Sequence, residues 1–397
     1  MNLFYRIVQI LMKFPGLQKI RLIFYFFDSF FLFFIKKPKK TGNTKKEKVM
    51  LFFTHGLGDC AMFYGAIDYI KKSFPEDKYD IILSCNTNYA ELFKNKIQNI
   101  LPIDYQKTSV NPLYRIKFLK KMREEYWDIA IDPFSCDECF PNVFAMNAIC
   151  AGKKTGALIT QRKKYQCPKW LRNKIYDEII FIKEPNLHKN KHYALFFSEL
   201  TKKKIKPVIQ KIKFNRTMAL PEKYIVVYPS ASVDAKRWPV ERFAEITKRI
   251  VEKQKYTVVC LGTKNDEDIT EEFINKITPF ASVKNFVGKT SVMQLVEILG
   301  RADMVLTNDT SIYHLTIGTG TKVCVVSGGY AYNTFLNYSS EDYGKEINSR
   351  IKIMAHKSEC MDCNNLCNKK FKKCYPCVEE VSVNEVWQAV NQLLGEK

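Results

Sequence analysis

Two α/β domains, each a doubly wound parallel sheet, are what this sequence predicts, and three observations carry the prediction. Short, β-branched apolar runs recur along the chain, each bounded by turn residues. Helical patterns of about ten or more residues separate them, which is the crossover length that parallel strands require. At 397 residues the chain exceeds the roughly 250–300 that one hydrophobic core fills, so two globular halves are expected.

Residues 1–47 stand apart as a hydrophobic and basic segment. Leu22–Ile35 holds eight aromatic residues and a single charge, Asp28, and lies between Arg21 and the lysines 36, 37, 39 and 40. A helix of that length reaches about 21 Å, short of a hydrocarbon core of about 30 Å. The lysines stand where a cleavable signal needs small residues. The expectation is an N-terminal apolar helix lying among headgroups, its basic flanks on an anionic membrane surface. The alternative is a helix packed on the protein itself.

Residues 48–214 read as the first Rossmann-like domain. The strand Lys48–Thr54 runs into His55-Gly56-Leu57-Gly58-Asp59 and a helix from about Cys60 to Lys72. The two glycines permit close backbone approach, and Asp59 stands where an N-cap belongs. The third glycine of a dinucleotide fingerprint is missing. Strands at Tyr79–Cys85, Asp128–Asp132, Lys154–Leu158 and Glu178–Ile182 alternate with helices near Tyr89–Ile97, Pro112–Glu125 and Pro141–Ala151. Asp132 closes a buried strand and reads equally as a turn aspartate or as a carboxylate presented at the sheet's carboxyl edge. A helix near His188–Thr201 and the basic, proline-marked stretch Lys202–Phe214 end the domain as a linker.

Residues 215–380 read as the second domain, with strands Tyr224–Tyr228, Thr257–Leu261, Val283–Val287, Met304–Thr307 and Val323–Val326. Parallel strands place ligands at their carboxyl ends, where two polar clusters fall, Ser230–Trp238 and Asn308–His314. Lys236, or Arg237 in its stead, stands beside the cleft as a donor to phosphate oxygens. Trp238 is expected to pack, and Pro239 suits the first turn of a helix from about Val240. Asp309, Thr310 and Ser311 open a helix whose unpaired N–H groups form an anion site, and His314 shares a face with Thr310 and Ser311. Asp309 is expected to cap that turn, since its charge repels phosphate. Gly262 and Gly328 lie in the other loops of this edge, either as plain turn glycines or as room for a ring against backbone.

The formal charge of +22, with 46% hydrophobic residues, describes a folded basic protein with an anionic partner. The lysines are spread along the chain and no nucleic-acid module is readable, so a basic nucleic-acid-binding protein with a zinc knuckle ranks last and no nucleic acid is expected as partner. Of thirteen cysteines, eight are scattered, as free thiols are in a reducing compartment, and five crowd between 360 and 377. Cys360-x-x-Cys363 and Cys374-x-x-Cys377 have the spacing of a structural four-thiolate zinc site, with Cys367 as an alternative ligand and reduced thiols as the plain alternative.

Taken together, Gly56-Leu57-Gly58-Asp59 after the first strand, Lys236-Arg237-Trp238-Pro239, and Asp309-Thr310-Ser311-x-x-His314-Leu315 running to Gly320 and Gly328 resemble glycosyltransferase family 9, the bacterial lipopolysaccharide heptosyltransferases and their relatives. The resemblance implies a GT-B architecture, two facing Rossmann-like domains with acceptor on the first and donor on the second. It implies inverting transfer from a nucleotide-diphosphate sugar, typically ADP-heptose, to a lipopolysaccharide core or related lipid-linked acceptor without a metal in the site. A UDP- or GDP-hexose donor is the alternative. By the same resemblance Asp59 is the general base; Gly58 and Asp132 are placed on the acceptor side by their positions at the first sheet's carboxyl edge. Lys236 contacts donor phosphate, and Thr310, Ser311 and His314 complete the diphosphate cradle. The last helix, within 381–397, packs back on the first domain. A lipid-borne acceptor and the absent cleavable signal place the enzyme in the cytoplasm, peripheral on the inner face of the membrane.

Overall fold

The computed structural model describes residues 22–40, 45–134, 140–159, 167–184, 186–356, 358–365 and 367–395. Residues 1–21 and 41–44 of the expected membrane-associating segment lie outside them. The chain divides into two compact units. The first draws on residues up to His55, on Ala66–Pro185 and on His192–Ile205; the second takes Gly56–Gly65, Asn186–Lys191 and everything from Lys206 onward. The glycine turn expected in the first domain thus clusters with the second unit.

Each unit is built on a six-stranded parallel sheet. The first holds β1 (Glu47–Phe53), β2 (Tyr79–Asn86), β3 (Asn99–Ile103), β4 (Tyr126–Asp132), β5 (Cys150–Ile159) and β6 (Glu178–Ile182), in the order β3-β2-β1-β4-β5-β6. The second holds β7 (Tyr224–Tyr228), β8 (Thr257–Cys260), β9 (Val283–Asn285), β10 (Met304–Asn308), β11 (Val323–Ser327) and β12 (Ile351–Ala355), in the order β12-β11-β10-β7-β8-β9. Counted within its own unit, the second order repeats the first, the doubly wound arrangement with its reversal between the first and fourth strands. That reversal lies between β1 and β4 in one sheet and between β7 and β10 in the other. Two edge strands, β3 and β12, are additions to the expected set, and β9 stops at Asn285, short of the expected Val287.

Six helices frame the candidate site and the surfaces beside it: α1 (Leu22–Phe34), α2 (Leu57–Phe63), α3 (Pro112–Met122), α4 (Val240–Lys253), α5 (Ser311–Thr319) and α6 (Val383–Leu394). Among the described residues no helix is long and apolar enough to cross a membrane. One face of α1 is packed on the first unit, with Tyr25 and Leu32 buried in its core. Asp28 is fully buried and accepts bonds from Arg115 Nε and Nη2 on α3, each at 2.6 Å. Burial raises the Asp28 pKa, and Arg115 works against that rise. Arg115 is sandwiched as well, 4.4 Å from the Phe24 ring and 4.8 Å from that of Phe144.

The C-terminal helix corrects an expectation. Rather than joining the first domain, α6 buries Val386, Ala389, Val390 and Leu393 in the second unit's own core, with Trp238, Phe243 and Val378. Its start is fixed by a capping box, Ser382 with Glu385, and its end by Gly395 in a left-handed conformation. The apolar stripe set by that phase covers β11 and β12, which would otherwise expose an uncovered sheet face.

Candidate active site

The reversal point of the second sheet gathers most of the expected donor-binding residues. Asn308, fully buried at the end of β10, staples the two loops that leave β7 and β10. Its Nδ2 donates to Pro229 O at 2.9 Å and Ser230 O at 3.2 Å, and its Oδ1 accepts from Trp238 N at 3.0 Å. Trp238 packs as expected, with Nε1 donating to Val381 O at 2.9 Å. Pro229, Ser230 and Trp238 are therefore held in one register against the start of α5.

Lys236 is held in place. Its Nζ stands 3.5 Å from Asp309 Oδ2 and 4.6 Å from the centroid of the Tyr330 ring. Tyr330 OH donates to the same carboxylate oxygen at 2.9 Å. Asp309 is the counter-ion that positions this lysine. The cap of α5 is Thr310 instead, whose Oγ1 accepts from Ile312 N at 3.3 Å, so the expected capping role of Asp309 is corrected. The extended backbone at Thr310 is what lets its hydroxyl turn back to the helix amides. At the other end Gly320, at φ +88°, closes the helix as a left-handed cap.

His314 is buried one turn into α5, with Nδ1 3.2 Å from Tyr338 OH. Burial pushes its pKa down to about 4, with Asp309 opposing and Lys236 adding to the fall, so the imidazole is neutral near pH 7. A Cβ placed on Gly58 would lie 3.1 Å from His314 Cδ2 and 3.4 Å from Ser311 Cα. A side chain here would make the His314 ring or one of the two helices give by a few tenths of an ångström. Gly56 is the N-cap of α2, and Asp59 is its third residue rather than its cap. The helix begins at Leu57, before the expected Cys60, and a second one, Ala66–Ser73, follows it. Gly58, Asp59, Ser311 and His314 thereby belong to one neighbourhood of the second unit.

The remaining expected residues divide. Arg237 is turned to its own loop, donating through Nε and Nη2 to Ala231 O at 3.2 and 3.1 Å and pairing with Asp234 at 3.0 Å. Gly262, at φ +152°, does need glycine, because a Cβ there would press on Asp266 at 2.9 Å. Asp266 is buried and braces this edge, accepting from Ser230 Oγ at 2.6 Å and from Thr263 N at 2.7 Å. Gly328 is a packing glycine, since any side chain would strike Cys377 Sγ and the Tyr330 ring. Sequence reasoning missed Asn308, Asp266 and Tyr330 as organisers of the site. Only the position of Asn308 at a strand's carboxyl end was a readable signal.

Asp132 lies in the first unit, fully buried, accepting from Asn142 Nδ2 at 2.7 Å and Tyr176 OH at 2.8 Å. Burial raises its pKa to about 6 against those bonds. Its contacts are those of a structural carboxylate, the other of the two readings of this residue. Among the described residues no group of three or more His, Cys, Asp or Glu side chains stands as a metal site. Cys374 is buried in the apolar core, whereas Cys377 has Cys363, Cys360 and Cys367 as electrostatic neighbours. The turn at Tyr375-Pro376 directs the first of its two thiols inward.

Residues 115–363 match the family described as glycosyltransferase family 9 (heptosyltransferase), a range that begins after Gly58 and Asp59. The lipooligosaccharide heptosyltransferase 2 of Haemophilus influenzae is 23% identical over 296 residues, 68% of this chain and 80% of that one. Heptosyltransferases of H. influenzae, Escherichia coli and Salmonella typhimurium also match over 31–32% of their own length. A family 9 glycosyl transferase of Veillonella parvula has a similar structure, with TM-score 0.66 at 15% identity, covering 89% of this chain and 99% of that one. An E. coli heptosyltransferase solved with ADP has TM-score 0.65 at 14% identity, covering 87% and 99%. The structural likeness shows a common fold of two parallel-sheet α/β domains, and the family match spans more than half of the chain. The chain belongs to glycosyltransferase family 9, the heptosyltransferase family, and is a glycosyltransferase.

Proposed function

We propose that this glycosyltransferase moves heptose from ADP-heptose, with inversion, onto a lipopolysaccharide core or a related lipid-borne glycan at the inner face of the cytoplasmic membrane. The observation that carries the reading is the crossing of α2 on α5 at Gly58, which sets Asp59 in the same neighbourhood as a helix N-terminus flanked by a tethered lysine. The names of the relatives support the donor and acceptor classes.

In this reading Asp59 takes the proton of the acceptor hydroxyl as that oxygen attacks the anomeric carbon. The leaving diphosphate gains charge as the glycosidic bond breaks. The partial positive charge at the start of α5, the Ser311 hydroxyl and Lys236 meet that charge. Thr310 fixes the turn by capping it, and Asp309 keeps Lys236 beside the start of α5. His314, neutral at pH 7, serves as a hydrogen-bonding group and leaves the cationic role to Lys236. No metal is asked for at the reacting atoms.

The test is transfer from ADP-heptose to a heptose-deficient lipopolysaccharide acceptor, followed by mass spectrometry, with UDP- and GDP-hexoses as parallel donors. A mass gain of one heptose from ADP-heptose alone supports the reading. Transfer only from a UDP- or GDP-sugar replaces the donor, and no transfer from any of them removes the reading. We further propose that the cysteine cluster takes a structural zinc on Cys360, Cys363, Cys367 and Cys377, the thiols drawing together on the ion. Elemental analysis then finds one zinc per chain, retained in Cys374→Ser and lost in Cys377→Ser; metal-free protein of full stability contradicts the site.

A further inference from the structure

The face of α1 turned away from the first unit carries a feature that glycosyl transfer does not use. Phe26, Phe30, Phe33 and Phe34 are 62%, 61%, 84% and 68% exposed. At about 100° of rotation per residue these four fall within one arc of about 100°, opposite the arc of Tyr25, Asp28 and Leu32 that faces the core. Four exposed phenylalanines along one helix edge form a contiguous apolar patch of the kind soluble surfaces avoid.

Directly after the helix comes a cleft of about 640 Å³ lined by five lysines, at 36, 37, 39, 40 and 48, and by Arg123, against three carboxylates, Glu124, Glu125 and Asp128, so that basic groups outnumber acidic ones. Lys40 pairs with Asp128 and Lys48 with Glu125. Among the described residues Lys36, Lys37 and Lys39 have no carboxylate partner, and Arg123 Nη1 is buried without a hydrogen-bond partner. The lysines without a carboxylate partner leave this cleft an excess of positive charge that suits an anionic oxygen from outside the protein.

We propose that α1 is a monotopic membrane anchor. The phenylalanine edge enters the acyl boundary of the bilayer, and the cleft behind it receives the phosphate of an anionic lipid headgroup. The buried bridge from Asp28 to Arg115, with Arg115 Nη1 also donating to Thr108 O at 3.0 Å, locks the helix flat on the first unit. The helix therefore lies on the surface and does not cross. A lipid bilayer matches both halves of this face, apolar at the helix and anionic at the cleft. A second copy of a chain carrying +22 would bring two lysine clusters together, so charge argues against a dimer through the same face. The binding stands on this surface alone; only its purpose, reaching a lipid-borne acceptor, rests on the proposed function.

The experiment is vesicle co-sedimentation of the full chain, with phosphatidylcholine alone and with phosphatidylcholine plus phosphatidylglycerol. The parent binds the anionic vesicles at least about tenfold more tightly than the neutral ones, and added salt weakens it. Phe30→Ser with Phe34→Ser lowers binding about tenfold or more, and Lys36→Gln, Lys37→Gln and Lys39→Gln together abolish the preference for anionic lipid. Both variants keep the parent's affinity for ADP, which separates this proposal from the fate of the transfer reaction. Three results would overturn it: no binding of the parent to anionic vesicles, parental binding by the serine variant, or a dimeric parent that the serine substitutions turn into a monomer.

Discussion

The two sheets share one strand order, yet their reversal points are finished differently. In the first unit β4 ends in Asp132, a carboxylate sealed under Tyr176 and Asn142, away from solvent. In the second, β10 ends in Asn308 and opens a partly exposed turn with Lys236, Asp309 and the start of α5. A neutral amide does the stapling there, so the charged groups are left to face a ligand. The contrast teaches that identical topology offers the same edge twice, and that the polarity of one residue at the strand end decides whether the edge is plugged or open.

The largest effect that sharpens this contrast is chemical. Asp59→Asn should lower transfer by about 10²–10⁴-fold while leaving ADP affinity near that of the parent, measured by single-turnover assay and calorimetry. Transfer at the parental rate would move the base to another residue. Next comes the anchor helix of the first unit. Asp28→Ala leaves Arg115 buried without its partner and should cost about 3–5 kcal/mol, read by denaturant unfolding; a loss within the noise would mean the bridge does not hold α1.

Acid should part the two units. His314 and His188, both in the second unit, are buried with pKa values pushed down to about 4 and about 3, chiefly by desolvation. Their stabilising contribution is complete above the ordinary histidine value near 6.5 and is lost as pH falls toward those lowered values. Asp132 in the first unit runs the other way. With its pKa raised to about 6, its contribution is complete below the ordinary aspartate value and is lost as pH rises through 6, a change of about 3 kcal/mol. Hydrogen exchange at pH 7 and pH 5 should find β7–β12 losing protection more than β1–β6, and Asp132→Asn should flatten the first unit's response. Equal losses in both sheets would contradict the assignment.

Much of this was legible in the sequence, for identifiable reasons. Ten of the twelve strands announced themselves as short apolar runs, clearest where they are buried on both faces, as in β1, β7, β10 and β11. The two that did not are Asn99–Ile103, an edge strand interrupted by Pro102, and Ile351–Ala355, an edge strand whose apolar run is broken by Lys352. Lys236, Thr310, Ser311 and His314 were readable because a helix N-terminus is a local object. Tyr330, Asp266 and the inward turn of Cys374 were not, since each depends on partners tens of residues away. The packing of α6 on its own unit was missed because an amphipathic stripe says that a helix is buried, not against what.

A smaller effect concerns Gly58. An added methyl group must displace the His314 ring or separate α2 from α5 by a few tenths of an ångström, so Gly58→Ala should lower transfer by about tenfold with modest loss of stability. Unchanged transfer would mean the close crossing is not required.

Calorimetric titration of the parent and Lys236→Ala with ADP, UDP and GDP tests the open edge of the second sheet most directly. Binding of ADP by the parent, weakened about tenfold or more in Lys236→Ala, is the result expected of a pyrophosphate held by that lysine and the start of α5. No binding of any nucleoside diphosphate, or equal binding by the variant, would contradict it.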